Sequence, residues 1–125
     1  MVDLLVKELQ HLKKQPAVLS RGYKRKNESS QQRLLFCEDS KIDPAYFGDE
    51  PYLLAQRNPE VPVYVGNSRF ITAALAEKQD HPDILLLDDG YQHLAIHRDL
   101  NLLLIDAEQG LGNRHLLPFG GLREP

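Results

Sequence analysis

Helically spaced apolar positions alternate along this chain with short unbroken apolar runs. Leu4, Leu5, Leu9 and Leu12 stand among polar and charged residues, at the spacing of an amphipathic helix lying on a core. Pro16 is expected to end that helix, and Ala17-Val18-Leu19 reads as a short buried strand running into Ser20-Arg21-Gly22-Tyr23. Residues 24–32 are polar, which predicts an exposed loop or hairpin, and Leu34-Leu35-Phe36-Cys37 predicts a strand. Gly48-Asp49-Glu50-Pro51 marks a helix start, with Asp49 near the cap and Pro51 in the first turn. That helix is expected to run through Tyr52, Leu53, Leu54 and Ala55 and to stop before Pro59.

Val61 to Gly66 is strand-like, and a helix is predicted over about residues 68–79. Ile84-Leu85-Leu86-Leu87 is an apolar run bounded by Pro82 and by Asp88-Asp89-Gly90. Leu102-Leu103-Leu104-Ile105-Asp106 repeats the pattern, apolar residues closing on an aspartate. Strands apolar on both faces belong in a parallel sheet covered by helices on each side, and the alternation of elements predicts an α/β fold. No inner domain boundary is visible in residues 1–125. The stretch from Gly110 to Pro125 is rich in Gly and Pro, and the first helix opens without a cap. Both features predict that the two ends are cuts.

Composition narrows the classes. With 42% hydrophobic and 26% charged residues the chain suits a soluble globular domain and argues against disorder. A net charge of −3 excludes a globally basic nucleic-acid binder. Cys37 is the only cysteine, so there is no internal disulfide and no Cys-based zinc site. No stretch approaches the ~20 apolar residues that a spanning helix needs, and Lys7 and Glu8 interrupt the opening run too early for a secretory leader.

In an open α/β sheet, ligands gather at the carboxyl ends of the strands. Ser20 to Lys26, Gly66-Asn67-Ser68-Arg69, Asp88 to His93, and Asp106 all fall at predicted strand ends, and Gly48-Asp49-Glu50 sits at a helix start. Asp88-Asp89 after an apolar strand is similar to a Walker B motif, whose carboxylate holds Mg²⁺ directly or through water. Arg21, Lys24, Arg25 and Lys26 form a basic run that fits a phosphate-bearing ligand, or equally a solvated loop. Asp49 with Glu50 fits a general base beside a positioning group, or acids favoured by a helix dipole. His93 and His97 would share a helical face, but nothing beside them completes a zinc motif. These residues contain no G-x-x-x-x-G-K-S/T, so no loop of that kind cradles the phosphates of ATP.

The ordered set Leu19-Ser20-Arg21-Gly22-Tyr23, Gly48-Asp49-Glu50-Pro51, Asp88-Asp89-Gly90-Tyr91-Gln92-His93, Arg98-Asp99, Leu104-Ile105-Asp106, Leu116-Leu117-Pro118 and Leu122-Arg123-Glu124-Pro125 resembles the tetraacyldisaccharide 4′-kinase (lipid A 4′-kinase) family over nearly the whole chain. The resemblance implies a P-loop-NTPase-like, mostly parallel sheet flanked by helices. The first strand, the phosphate loop and the C-terminal lobe would lie outside residues 1–125, a partial nucleotide-binding domain. Without that strand, the edge beside Ala17 to Leu19 is expected to stand unpaired. The implied reaction moves the γ-phosphoryl of ATP, with Mg²⁺, to the 4′-hydroxyl of tetraacyldisaccharide 1-phosphate, the lipid A precursor, at the cytoplasmic face of the bacterial inner membrane. Position by position, the resemblance makes Asp49 the catalytic base, and Asp88 and Asp89 catalytic carboxylates tied to Mg²⁺ and nucleotide. It makes Arg21, Tyr23, Glu50, Arg69, Gln92, His93 and Arg123 substrate-binding. Membrane contact would use segments outside these residues, and nucleic acid is not an expected partner. Gly112-Asn113-Arg114 departs from the family's common Gly-Asn-Gly. The alternative from another class is a non-catalytic phosphoglycolipid-binding module using Arg21, Lys24, Arg25, Lys26 and Arg69.

Overall fold

The computed structural model describes residues 1–23, 25–26, 30–35, 43–108 and 110–122. Its order is α1 (Val2–His11), β1 (Pro16–Ser20), β2 (Gln32–Leu34), α2 (Pro44–Phe47), α3 (Asp49–Arg57), β3 (Val63–Val65), α4 (Arg69–Gln79) and β4 (Ile84–Leu87). The sheet runs β2-β3-β1-β4. β1 pairs in parallel with β3 and β4, and β2 pairs antiparallel with β3. The α/β class and the mostly parallel sheet therefore hold.

Two faces explain the unbroken apolar runs. Val6 of α1 and Ala55 of α3 pack with Val18, Leu34, Val63 and Val65 on one side. Ala73 and Ala76 of α4 pack with Ala17, Leu19 and Tyr64 on the other. Successive strand residues point to opposite faces, so a strand covered on both sides must be apolar at every position. β1 is buried along its whole length, which suits its place between two partners.

Local chemistry sets the boundaries. The first helix stops before Pro16 does anything to it. Lys13 takes a left-handed conformation (φ 57°), and Lys14 and Lys13 donate backwards to Leu9 and Gln10 in a Schellman closure. Ser68 caps α4 by accepting from the Ile71 amide at 3.4 Å. Pro44 opens the four-residue α2, a helix that the apolar pattern does not announce, beside the Asp43 cap.

Four expectations change. β1 lies inside the sheet, and among the described residues the edge strands are β2 and β4, with β4 next to β1. Residues 102–105 form no strand: they are irregular, exposed and outside the sheet. The polar stretch 24–32 is not uniformly exposed, because Arg25 is 3% exposed and Gln32 begins β2. The strand expected at 34–37 ends at Leu34, and Phe36 and Cys37 lie outside the described residues. Arg114, at the departure from Gly-Asn-Gly, adopts the left-handed φ of 59° that a glycine would take readily.

Candidate active site

Three parallel strands end at one edge and deliver three of the predicted clusters there. Ser20 closes β1 with Arg21 after it, Gly66 to Arg69 follows β3, and Asp88-Asp89 follows β4. The ladder continues beyond the strands, with the Gly66 amide donating to Ser20 O at 3.0 Å and the Asp88 amide to Leu19 O at 2.9 Å. The side chains at the rim are therefore carried on paired backbone.

The fourth cluster arrives through two glycines. Gly22 has φ 68° and Gly48 φ 94°, a region that L side chains rarely adopt. A Cβ on Gly22 would stand 2.3 Å from Val65 Cγ1 and 2.6 Å from Phe47 O. A Cβ on Gly48 would come within 3.2 Å of Gly22 Cα. This close approach sets the start of α3, with Asp49 and Glu50 as its first residues, against the loop that leaves β1. Gly48 is the N-cap and has no side chain, so the two acids complement the helix dipole without capping it.

Asp88 is half-buried and accepts from Ser20 Oγ at 3.5 Å. Burial raises its carboxyl above the ordinary value; Arg69 opposes that shift, and the neighbouring Asp89 adds to it. Asp89 is exposed, with φ 47°, a conformation that Asp tolerates better than most residues. Asp88, Asp89, Gly90, Tyr91 and Glu50 line one cleft of about 1450 Å³, whose wall does not include Asp49.

The two carboxylates fit Mg²⁺. A partly desolvated acid beside a second acid gains from a hard cation, and Mg²⁺ usually keeps water and phosphate oxygens as its other ligands. Among the described residues no group of three His, Cys, Asp or Glu side chains could hold a metal by itself. His97 is exposed and 3.7 Å from Asp99.

His93 Nε2 accepts from the Arg69 backbone N–H at 3.3 Å. Burial holds its imidazole below the ordinary value, and Arg69, Arg98 and Arg21 add to the effect. Arg69 is 4% exposed, and its guanidinium donates to Gly66 O at 3.0 Å and Asp88 O at 3.1 Å. Arg21, Tyr23 and Gln92 are exposed, and Arg123 and Lys24 lie outside the described residues. Lys26 is exposed, 3.7 Å from Asp43 and over the Tyr46 ring. Asp106 closes its own turn by accepting from the Glu108 amide at 2.7 Å and does not sit at a strand end.

Sequence reasoning gave no role to Ser20 or Arg98. Arg98 donates to Gly90 O at 2.8 Å and Tyr91 O at 2.5 Å, holding the turn after the acid pair. Ser20 could have been singled out as the polar residue closing an apolar run. Nothing in the local pattern marks Arg98 as a backbone clamp.

Comparison with known proteins follows the same lines. The profile of the tetraacyldisaccharide-1-P 4′-kinase family matches residues 1–125. The tetraacyldisaccharide 4′-kinase of Bdellovibrio bacteriovorus is 43% identical over 122 residues, covering 98% of this chain and 35% of the relative. That of Geobacter sulfurreducens is 42% identical over 125 residues, covering 100% of this chain and 35% of the relative. A crystal structure from Aquifex aeolicus, described as the "apo" form of LpxK in complex with ATP, superimposes with a TM-score of 0.85 at 38% identity. The match covers 99% of this chain and 38% of that one. The chain thus spans about a third of the length of the curated relatives it matches.

Proposed function

The chain belongs to the tetraacyldisaccharide-1-P 4′-kinase family, and on that premise we propose that it carries the acidic half of a site that phosphorylates the 4′-hydroxyl of tetraacyldisaccharide 1-phosphate from ATP. The observation that supports this reading is the meeting of Asp88-Asp89, Ser20-Arg21 and the start of α3 at the carboxyl edge of three parallel strands. Asp49 accepts the proton of the attacking 4′-hydroxyl. The new bond joins the 4′-oxygen to the γ-phosphorus, the bond to the bridging oxygen breaks, and ADP leaves with the electron pair. Asp88 and Asp89 would hold Mg²⁺, directly or through water, and the ion when bound neutralises charge on the phosphates. Exposed Arg21, Tyr23, Glu50 and Gln92 contact the lipid or its phosphate, while His93 orients the turn behind the acid pair.

No helix among the described residues is long and apolar enough to cross a membrane. The proposed place of action is the cytoplasmic face of the inner membrane, where the acylated substrate resides. The binding-module alternative is less well supported, because Arg25 and Arg69, two of the cations it needs, are buried.

Two measurements test the reading. Mg²⁺ and ATP added to the chain should shift the backbone NMR signals of Asp88 to His93, and Asp88→Asn with Asp89→Asn should abolish the response. Shifts confined to other surfaces would refute the site. A 4′-phosphorylation assay of these 125 residues with ATP, Mg²⁺ and the lipid precursor should give turnover at background, since none of them forms a G-x-x-x-x-G-K-S/T loop. Robust turnover would overturn the argument that this loop must be supplied.

A further inference from the structure

Arg69 sits where an arginine has the least reason to sit. It is the first residue of α4, at the positive end of the helix dipole, and only 4% of it is exposed. Burying a guanidinium is costly unless it is paired and hydrogen-bonded, and a cation at a helix N-terminus is disfavoured. Compensation comes from the backbone carbonyls of Gly66 and Asp88, with the charges of Asp88 and Asp89 nearby. Its Nε is buried and makes no hydrogen bond. The same residue offers its backbone N–H to His93. One side chain and one amide therefore join the loop after β3, the last residue of the β4 ladder and the far end of the turn that carries the acid pair.

We infer that Arg69 is a positioning residue, clasping Gly66, Asp88 and His93 so that the two carboxylates keep their place at the rim, and that it does not touch substrate. A substrate contact would need a donor open to the cleft, whereas Arg69 is 4% exposed, is not on the cleft wall and holds a backbone oxygen with each terminal nitrogen. The planar fork suits the task, since two carbonyls on different loops can be held by one rigid group. Arg21 is the exposed arginine of this edge and the better candidate for phosphate.

The inference deepens the kinase reading and rests on its assignment of the acid pair, but it is tested on the ligand-free chain. The Mg²⁺–ATP response above can therefore fail without it, and it can fail while that response survives. The experiment is amide hydrogen exchange in the chain, in Arg69→Lys and in Arg69→Met. Arg69→Met should lower protection at the Asp88 and His93 amides by about tenfold or more, the scale of losing a charged hydrogen bond. The Val18 amide in β1 should keep its protection, which a general loss of stability would not allow. Arg69→Lys should give an intermediate loss, because an ammonium keeps the charge but lacks the fork. It decides the matter if the Met variant does not fold. Wild-type exchange at Asp88 and His93 in Arg69→Lys would overturn the clasp. So would weakened binding of inorganic tripolyphosphate with exchange unchanged, which would return Arg69 to substrate contact.

Discussion

Tyr64 places a phenol in the middle of the sheet, and its hydroxyl finds Asp80 and, at 3.2 Å, Gln79 at the end of α4. Arg33 from β2 grips the same carboxylate with Nε at 2.8 Å and Nη2 at 2.6 Å. The Arg33 hydrogen bond holds the Asp80 carboxyl below its ordinary 3.8, so its stabilisation is present above that value and is lost as pH falls through the lower folded value. Asp80→Asn should cost about 1–3 kcal/mol at neutral pH, with the gap to wild type narrowing below about pH 4. Urea unfolding at both pH values checks this; an unchanged gap would refute the pairing. His93 shows the same sign for a base: its folded value is depressed, so its contribution holds above 6.5 and is lost on acidification. Protection of the Arg69 amide should therefore fall between pH 7.5 and 5.5. His93→Gln, whose amide oxygen accepts at either pH, should flatten that change. At this scale the positions of Asp88, Asp89 and Arg21 were legible because polar residues closing apolar runs mark the rim of a sheet, and that of Asp49 because Gly48-Asp49-Glu50-Pro51 marks a helix start. The burial of Arg25 and Arg69 was not, because it depends on carbonyl partners that a local run of charges does not disclose.

The elements were legible where local signals agreed. The helix expected over about 68–79 is α4, and the apolar blocks gave β1, β3 and β4. Residues 102–105 have the same composition as β4 yet form no strand, because a strand needs a neighbour and a run of leucines does not say whether one is present. The four-residue α2 is too short to show a period. Two substitutions weigh the joints between elements. Gly22→Ala meets both a left-handed φ and contacts under 3 Å, two of them with fixed neighbours, Val65 Cγ1 and Phe47 O. It should destabilise by about 2 kcal/mol or more and displace α3, visible as a lower denaturation midpoint and altered Asp49 amide shifts. Ser68→Ala removes only the α4 cap and should cost about 1 kcal/mol, with the site's chemical shifts largely kept.

Across the whole molecule, apolar surface is unevenly covered. Leu102, Leu103, Leu104 and Ile105 are 48%, 66%, 64% and 54% exposed, and β4 has no strand against its outer side among the described residues. Exposed apolar surface next to a strand edge favours pairing with other chains. Sedimentation velocity should show association that grows with concentration, and Leu103→Glu should reduce it. The site is also scattered along the chain, its parts coming from residues 20–22, 48–50, 66–69 and 88–93. No contiguous stretch holds a working portion, and each part reaches the others only after long loops close. Contacts so distant in sequence form late and cooperatively. On denaturation, the proposed response to Mg²⁺ and ATP should therefore disappear in the same transition as the sheet, with no partly unfolded species that retains it.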